Sequence, residues 1–478
     1  MNARLALSSG LSLLIVSFPA GCRDGRKATA PAEVGEGRRP TVLAERPPMG
    51  WNSWNSFGVT VTEEQVRANA AYMAEKLKAH GWEYVVVDLG WYLPPQIDTS
   101  TFKMKDPPQA IDTHGRLVPD VSKFPSAAGG RGFKPLADSV HGLGLKFGIH
   151  IMRGIPRQAD AEGVTIAGTD VLSSRVFDKA DVCDWYHGMY GVDTTKPGGQ
   201  EYYDALVALY AQWGVDYIKA DDMSRPYHAA EIEALARAID KAGRPMVLSL
   251  SPGATPIEEA EHVKRHANLW RISPDFWDHW PLLERQFALC RRWQGHVSPG
   301  HWPDADMLPL GKLRVTGPDD YVAEQMGLSM KEITNENSRL TPAEQRTLMT
   351  LWSIFRSPLM MGGHLPENDE DTLALLTNDE VLAVNQASTH NRELRAEGDR
   401  VIWAADDPAS DAVYVAFFNK GAEKTRLVVL DMKDVGLPSR VQARDLWRRA
   451  DVGEFDGTIS VEVEPHGAVL LRLSPAAG

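Results

Sequence analysis

Gly214-Val-Asp-Tyr-Ile-Lys-Ala-Asp-Asp-Met223 reads as a strand that ends in two carboxylates. Side chains alternate across a strand, so Tyr217, Lys219 and Asp221 share one side while Ile218 and Ala220 share the other. Small apolar residues suit a face packed beneath helices. A lysine followed two residues later by an aspartate at the strand's end suits the interior of a (β/α)₈ barrel, which places its chemistry at the carboxyl ends of its strands. Parity selects Asp221 over Asp222 as the inward acid. Taken alone, the stretch is equally an ordinary strand closed by an aspartate-rich turn, with a cap or an ion pair as its only task.

Working outward, the same grammar recurs. Met49-Gly-Trp-Asn-Ser-Trp54 is a short apolar and aromatic run, and further strands are expected over 84–88, 145–151, 246–250 and 269–272. Helices fall between them. Thr62 and Gln65 form a capping-box pattern ahead of Val66, Ala70, Met73 and Leu77, with Gly81 to stop the helix, and Thr341-Pro342-Ala-Glu344 opens a late one. Strands alternating with helices indicate a parallel α/β architecture, and carboxylates at several strand ends favour a closed (β/α)₈ TIM barrel, expected over 47–385. No Gly-x-Gly-x-x-Gly follows the first strand, and there is no Walker-type loop. Beyond residue 385 the helical period disappears. Short runs at 401–404, 413–418, 427–430, 441–447, 459–463 and 469–473 predict a carboxy-terminal antiparallel β-sandwich over 386–478.

The 478 residues are 43% hydrophobic, ample for two domains, and carry a formal net charge of −13. Such acidity argues against nucleic acid or an anionic membrane as the partner. Fourteen tryptophans supply rings of the kind that stack on sugar faces, although most are expected in the core. At the amino terminus Arg4, an apolar run over 11–18 and Pro19-Ala20-Gly21-Cys22 form an export signal over 1–22. Lipidation of Cys22, which would attach the chain to a membrane in the periplasm or at the outer surface, and simple cleavage nearby both fit. Residues 23–46 read as a disordered tether, and with only Cys183 and Cys290 remaining no disulfide framework is expected.

Further carboxylates gather near strand ends. Asp88 closes one strand, Trp270-Arg-Ile-Ser-Pro-Asp275 carries another acid, and Asp304 and Asp306 follow Trp302. Glycoside cleavage needs two acids at one cavity: one attacks the anomeric carbon, the other protonates the leaving oxygen and then activates water. Each aspartate singly has an ordinary structural use. Converging acids repel one another and raise each other's pKa, which suits catalysis better than stability. Neither a metal nor a cofactor is expected. His150 is read as a core or cavity-lining histidine, Trp185 as a sugar platform or loop anchor within 151–203, and Asp193 as a turn cap.

Pro47-Pro-Met-Gly-Trp-Asn-Ser-Trp54, Asp88 with Trp91, Lys219 to Asp222, Trp270-Arg271 with Asp275, Asp304-Ala-Asp-Met307 and Arg356-Ser-Pro-Leu359 resemble, in order, the motifs of glycoside hydrolase family 27. This is the α-galactosidase and α-N-acetylgalactosaminidase family, and Asp445-Leu-Trp447 and Pro465-His-Gly467 resemble its carboxy-terminal domain. The resemblance implies a retaining enzyme with Asp221 as nucleophile and Asp275 as acid/base. It further implies that Lys219 and Arg271 bind sugar hydroxyls, with Trp51, Asp88 and Trp91 at the floor and rim of the pocket and His150, Asp304 and Asp306 around it. Leu89 stands where the family usually has the second of two adjacent aspartates that grip the galactose 4- and 6-hydroxyls, and Ser251-Pro252-Gly253 where it has Cys-Glu-Trp near the 2-substituent. Ala220 and Met223 replace the motif's tyrosine and cysteine, so the disulfide that braces the nucleophile loop is expected to be absent. The implied function is an exported α-galactosidase acting on oligosaccharides or glycans. β-L-arabinopyranosidase, α-N-acetylgalactosaminidase and a catalytically silent sugar-binding lipoprotein are the alternatives.

Overall fold

The computed structural model describes residues 42–95, 107–316 and 337–476. The expected export signal and all but the end of the expected tether lie outside the described residues. That end is not a tether: the Ala44 carbonyl accepts a hydrogen bond from Trp302 Nε1 at 2.8 Å, which seats residues 42–46 against the barrel.

Eight parallel strands form the barrel: β1 (Met49–Asn52), β2 (Tyr84–Val87), β3 (Lys146–Met152), β4 (Tyr217–Asp221), β5 (Val247–Leu250), β6 (Leu269–Arg271), β7 (Trp302–Asp304) and β8 (Leu359–Met361). From β1 to β7 each strand pairs with the next in sequence, and β8 returns to pair with β1. Between β7 and β8 the ring is closed just past the strand by Leu308, whose N–H donates to Met360 O at 2.8 Å while its own carbonyl accepts from Gly362 N–H at 2.9 Å. All four residues of β2 are buried, because helices cover one face and the barrel interior fills the other. Thr62 and Thr341 make the expected capping boxes for the helices Glu63–Tyr72 and Pro342–Phe355. Parallel pairing places His150 beside Lys219 and Met152 beside Asp221, so β3 and β4 finish together at the barrel mouth.

The stretch after β3 is built rather than loose. Ile155–Pro156, Phe177–Asp178 and Met189–Val192 form a small antiparallel sheet ahead of the helix Gly199–Trp213. After the helix Asp379–Ala387 the chain makes a six-stranded antiparallel sheet and a two-stranded one, Arg426–Asp431 with Thr458–Val463. Ile402, Val415, Phe417, Val428, Leu430 and Ile459 pack between them. This sandwich is docked on barrel helices. Thr347 Oγ1 donates to His466 O at 2.7 Å, Trp280 stacks on His466 at 3.7 Å, and Phe287 meets Phe418 edge-on.

Candidate active site

At the mouth of the barrel an open cavity is lined by Asp88, Leu89, Lys219, Asp221, Arg271, Asp275 and Asp306, among others. Its acids fall into three groups, each held by a different element. Asp88, at the end of β2, accepts from Asn52 Nδ2 at 2.7 Å and Lys219 Nζ at 2.8 Å through one oxygen and from Leu89 N–H at 2.8 Å through the other. Burial alone would raise its pKa. The Lys219 ammonium and His150 outweigh that and hold the carboxyl well below the usual range.

Asp221 ends β4. Its Oδ2 meets His150 Nε2 at 2.8 Å, and its Oδ1 accepts from Asp222 N–H at 2.7 Å. His150 is fully buried and its Nδ1 has no hydrogen-bond partner, so we assign the ring hydrogen to Nε2, donating to the carboxylate. Asp222 turns away from the cavity with φ 63°, a left-handed conformation that aspartate tolerates better than most residues. Behind it lies Arg153. Its side chain donates to Asp222 at 3.0 Å, to Glu231 at 2.7 Å, and to both oxygens of Asp181 at 2.8 Å. Its backbone N–H donates to Asp221 O at 3.0 Å. Burial pushes Asp222 up to about 6; the Arg153 guanidinium restrains that rise and the Asp221 charge adds to it.

Asp275 stands in the loop beyond β6. Arg271 Nη2 reaches Asp275 Oδ1 at 3.2 Å, Asp306 Oδ2 at 2.7 Å and the Ser273 carbonyl at 3.2 Å. Asp306 is fixed in turn by Phe276 N–H at 2.7 Å, and its own N–H donates to Asp304 Oδ1 at 2.8 Å. Burial raises the pKa of both Asp304 and Asp306, against the pull of Arg271.

The structure therefore brings Asp88, Lys219, Asp221, Arg271, Asp275 and Asp306 to one cavity. His150 and Asp304 stand one layer behind it, in contact with Asp221 and Asp306. Trp51 and Trp91 do not reach it, contrary to the sequence-based expectation. Trp51 lies within β1, fully buried, with Nε1 donating to Gly363 O at 2.8 Å. Trp91 is buried among Tyr92, Phe133 and Trp213 and donates to His150 O at 2.8 Å. Among the described residues the rings on the cavity are Trp54, Trp185, Phe276 and Trp277. Trp54 was within reach of the sequence: it is the tryptophan of its motif that falls beyond the end of a strand, where barrel sites are built. Arg153, which the sequence sets after a strand with Met152 as if to line the cavity, stands behind it instead, while Arg225 and Trp277 carried no pattern that sequence could have used. Cys183 and Cys290 are both free and buried. Asp181, His228 and Glu231 approach one another near the cavity, but Arg153 already bridges the two carboxylates, which does not suit a cation.

Comparison with known proteins agrees with this geometry. Residues 157–387 match the family model described as alpha galactosidase A, and residues 397–473 the alpha galactosidase C-terminal beta sandwich domain. An α-galactosidase of Coffea arabica is 30% identical over 441 residues, 91% of this chain and 95% of that protein. Alpha-galactosidase A of Cellvibrio japonicus is 29% identical, covering 91% and 93%. The crystal structure of a family 27 β-L-arabinopyranosidase from Geobacillus stearothermophilus superposes with a TM-score of 0.85 at 49% identity, covering 91% of this chain and 98% of that one. With its barrel, its sandwich and its carboxylate-lined mouth, the chain belongs to glycoside hydrolase family 27 and is a glycosidase.

Proposed function

We propose that this glycosidase removes terminal β-L-arabinopyranosyl groups with retention, using Asp221 as nucleophile and Asp275 as acid/base. In the first step an Asp221 oxygen bonds to the anomeric carbon as the glycosidic bond breaks, and Asp275 gives its proton to the departing oxygen. In the second, the Asp275 carboxylate takes a proton from water, whose oxygen displaces Asp221 and regenerates both acids. Donors on both Asp221 oxygens support its role as a nucleophile held in one position.

Leu89 carries the choice of sugar. It lines the cavity next to Asp88, in place of one of the two aspartates with which the family usually grips the 4- and 6-hydroxyls of galactose. β-L-Arabinopyranose is galactose-like without the 6-carbon, so it asks nothing polar of this wall. A galactoside would desolvate its 6-hydroxyl against leucine, at about 1–3 kcal/mol for an unmet hydrogen bond. The 49% identity to the Geobacillus β-L-arabinopyranosidase, against 30% to the coffee α-galactosidase, supports the same reading. The test is kcat/KM on the p-nitrophenyl β-L-arabinopyranoside and α-D-galactopyranoside. The wild type is expected to favour the arabinoside about tenfold or more, and Leu89→Asp to narrow the ratio. A preference for the galactoside that Leu89→Asp leaves unchanged would return the reading to α-galactosidase.

We also propose export, resting on the apolar run over 11–18 and the small residues before Cys22. Cell fractionation tests it: recovery in the cytoplasm would refute it, and release from membranes by Cys22→Ser would add the lipid anchor.

A further inference from the structure

Away from the cavity, the helix layer outside β4 and β5 holds a cluster that the glycosidase reaction does not use. The helix Ala260–His266 carries His262 and His266, four residues apart and therefore one above the other on a single face. The helix Ala229–Ala242 presents Glu233 to that face. His262 Nε2 meets Glu233 Oε1 at 3.2 Å, and the two imidazole centroids are 4.6 Å apart. One ligand atom from each of the three lies within 4.8 Å of the others.

We infer that Glu233, His262 and His266 form a divalent transition-metal site, of a class filled by Zn²⁺, which clamps the helix after β4 to the helix after β5. Two imidazole nitrogens and one carboxylate oxygen are a donor set that suits Zn²⁺, Co²⁺ or Ni²⁺; Ca²⁺ and Mg²⁺ call for oxygen alone. Ligand atoms around tetrahedral Zn²⁺ stand roughly 3.4 Å apart. The three must therefore close by about an ångström, a rotamer adjustment open to partly exposed side chains. A water completes four-coordination.

Two features prepare the site. The Tyr227 hydroxyl lies 2.5 Å from His262 Nδ1. That contact turns Nε2 toward Glu233 and supplies the outer hydrogen bond that metal-bound histidines characteristically make. Glu233 is steadied from its other oxygen by Arg237 at 3.1 Å. Tyr227 sits two residues from Arg225, which lines the cavity, so a bound ion would also steady the turn that follows Asp221 and Asp222.

Isothermal titration of ZnCl₂ into the tag-free, EDTA-stripped full chain tests the site. One equivalent is expected to bind, with the affinity falling tenfold or more in each of His262→Gln, His266→Gln and Glu233→Gln. His296→Gln, on a different segment, should bind as the wild type does. Zn²⁺ is also expected to raise the melting temperature of the wild type by a degree or more but not that of His266→Gln. Circular dichroism on each variant separates a lost ligand from a lost fold. No saturable binding, or binding that survives all three substitutions, would overturn the inference. None of these readouts depends on which sugar the enzyme hydrolyses.

Discussion

Two of the carboxylates that line the cavity, Asp221 and Asp275, are supported in opposite ways. Asp221 ends a strand, its side chain is 12% exposed, and both its oxygens take donors from rigid neighbours, the buried His150 ring and a backbone N–H. Asp275 lies in a loop, its side chain is 24% exposed, and it shares the Arg271 guanidinium with a second acid, Asp306. A nucleophile must hold one position and stay ionised; an acid/base must exchange its proton with substrate and water. The first demand is met by fixed donors on strand ends, the second by a loop perch whose nearby positive charge is offset by Asp304 and Asp306. The contrast predicts unequal responses when each side is damaged.

The largest separates the two acids by leaving group. Asp221→Asn should lower kcat about 10⁴-fold or more on every aryl glycoside, because no leaving group replaces a missing nucleophile. Asp275→Asn should cost about 10²–10⁴-fold on poor leaving groups and far less on dinitrophenyl glycosides, which depart without a proton. Rates across a series of phenols of graded acidity decide it. If both variants show the same dependence on leaving group, the roles assigned to the two sides are wrong.

Next in size is Arg153. Its side chain is 2% exposed and ties Asp181, Asp222 and Glu231 together behind the nucleophile. Arg153→Met leaves three acids without their cation, a change of the kind that costs roughly 3–5 kcal/mol of stability. Because Asp222 N–H positions Asp221, kcat should also fall, by about 10-fold or more, with KM little changed. Arg153→Lys should restore part of the stability and less of kcat, since an ammonium cannot reach all three acids in a fixed plane. Unchanged kcat in a folded Arg153→Met would reduce the cluster to a structural prop.

These two sides were unequally legible in the sequence. Asp221 was found by parity alone, because β4 is long enough to alternate and its other side is small and apolar. Strands β6, β7 and β8 are three residues each, too short to show a period, so Asp275, Asp304 and Asp306 could be gathered near strand ends but needed family motifs to be given roles. Trp51 and Trp91 were misplaced because a motif tryptophan serves equally as core; only its position relative to a strand end tells the two apart. In the sandwich, Thr389–Glu397 and Ala450–Asp456 went unrecognised. Both are edges of the six-stranded sheet and largely polar, so the apolar alternation that marks a strand is missing from them. The expectation of no metal rested on the absence of a His-x-x-x-His pair, and that was wrong, because His262-Val-Lys-Arg-His266 is one; only its third ligand, on another helix, lay beyond what sequence shows.

The smallest effect concerns a charge both sides share, a buried acid behind the working one. Asp222 has its pKa raised by burial from 3.8 to about 6, against the pull of Arg153, so the folded chain holds that proton more tightly than the unfolded chain does. A raised acid contributes stability that is fully present below pH 3.8 and is lost as pH rises through about 6. The shift corresponds to at most about 3 kcal/mol across that window. The substitution Asp222→Asn keeps the left-handed backbone and the N–H to Asp221 but removes the titrating group. Wild type and Asp222→Asn, compared by denaturant unfolding at pH 4.5 and 7.5, should therefore diverge, the wild type losing more stability at the higher pH. Asp306→Asn should diverge in the same direction, since burial raises Asp306 as well. Parallel behaviour of Asp222→Asn and the wild type would mean that Arg153 fully compensates the burial of Asp222. The acid behind the nucleophile would then be an ordinary ion-pair partner, and the difference between the two sides would rest on His150 and Arg271 alone.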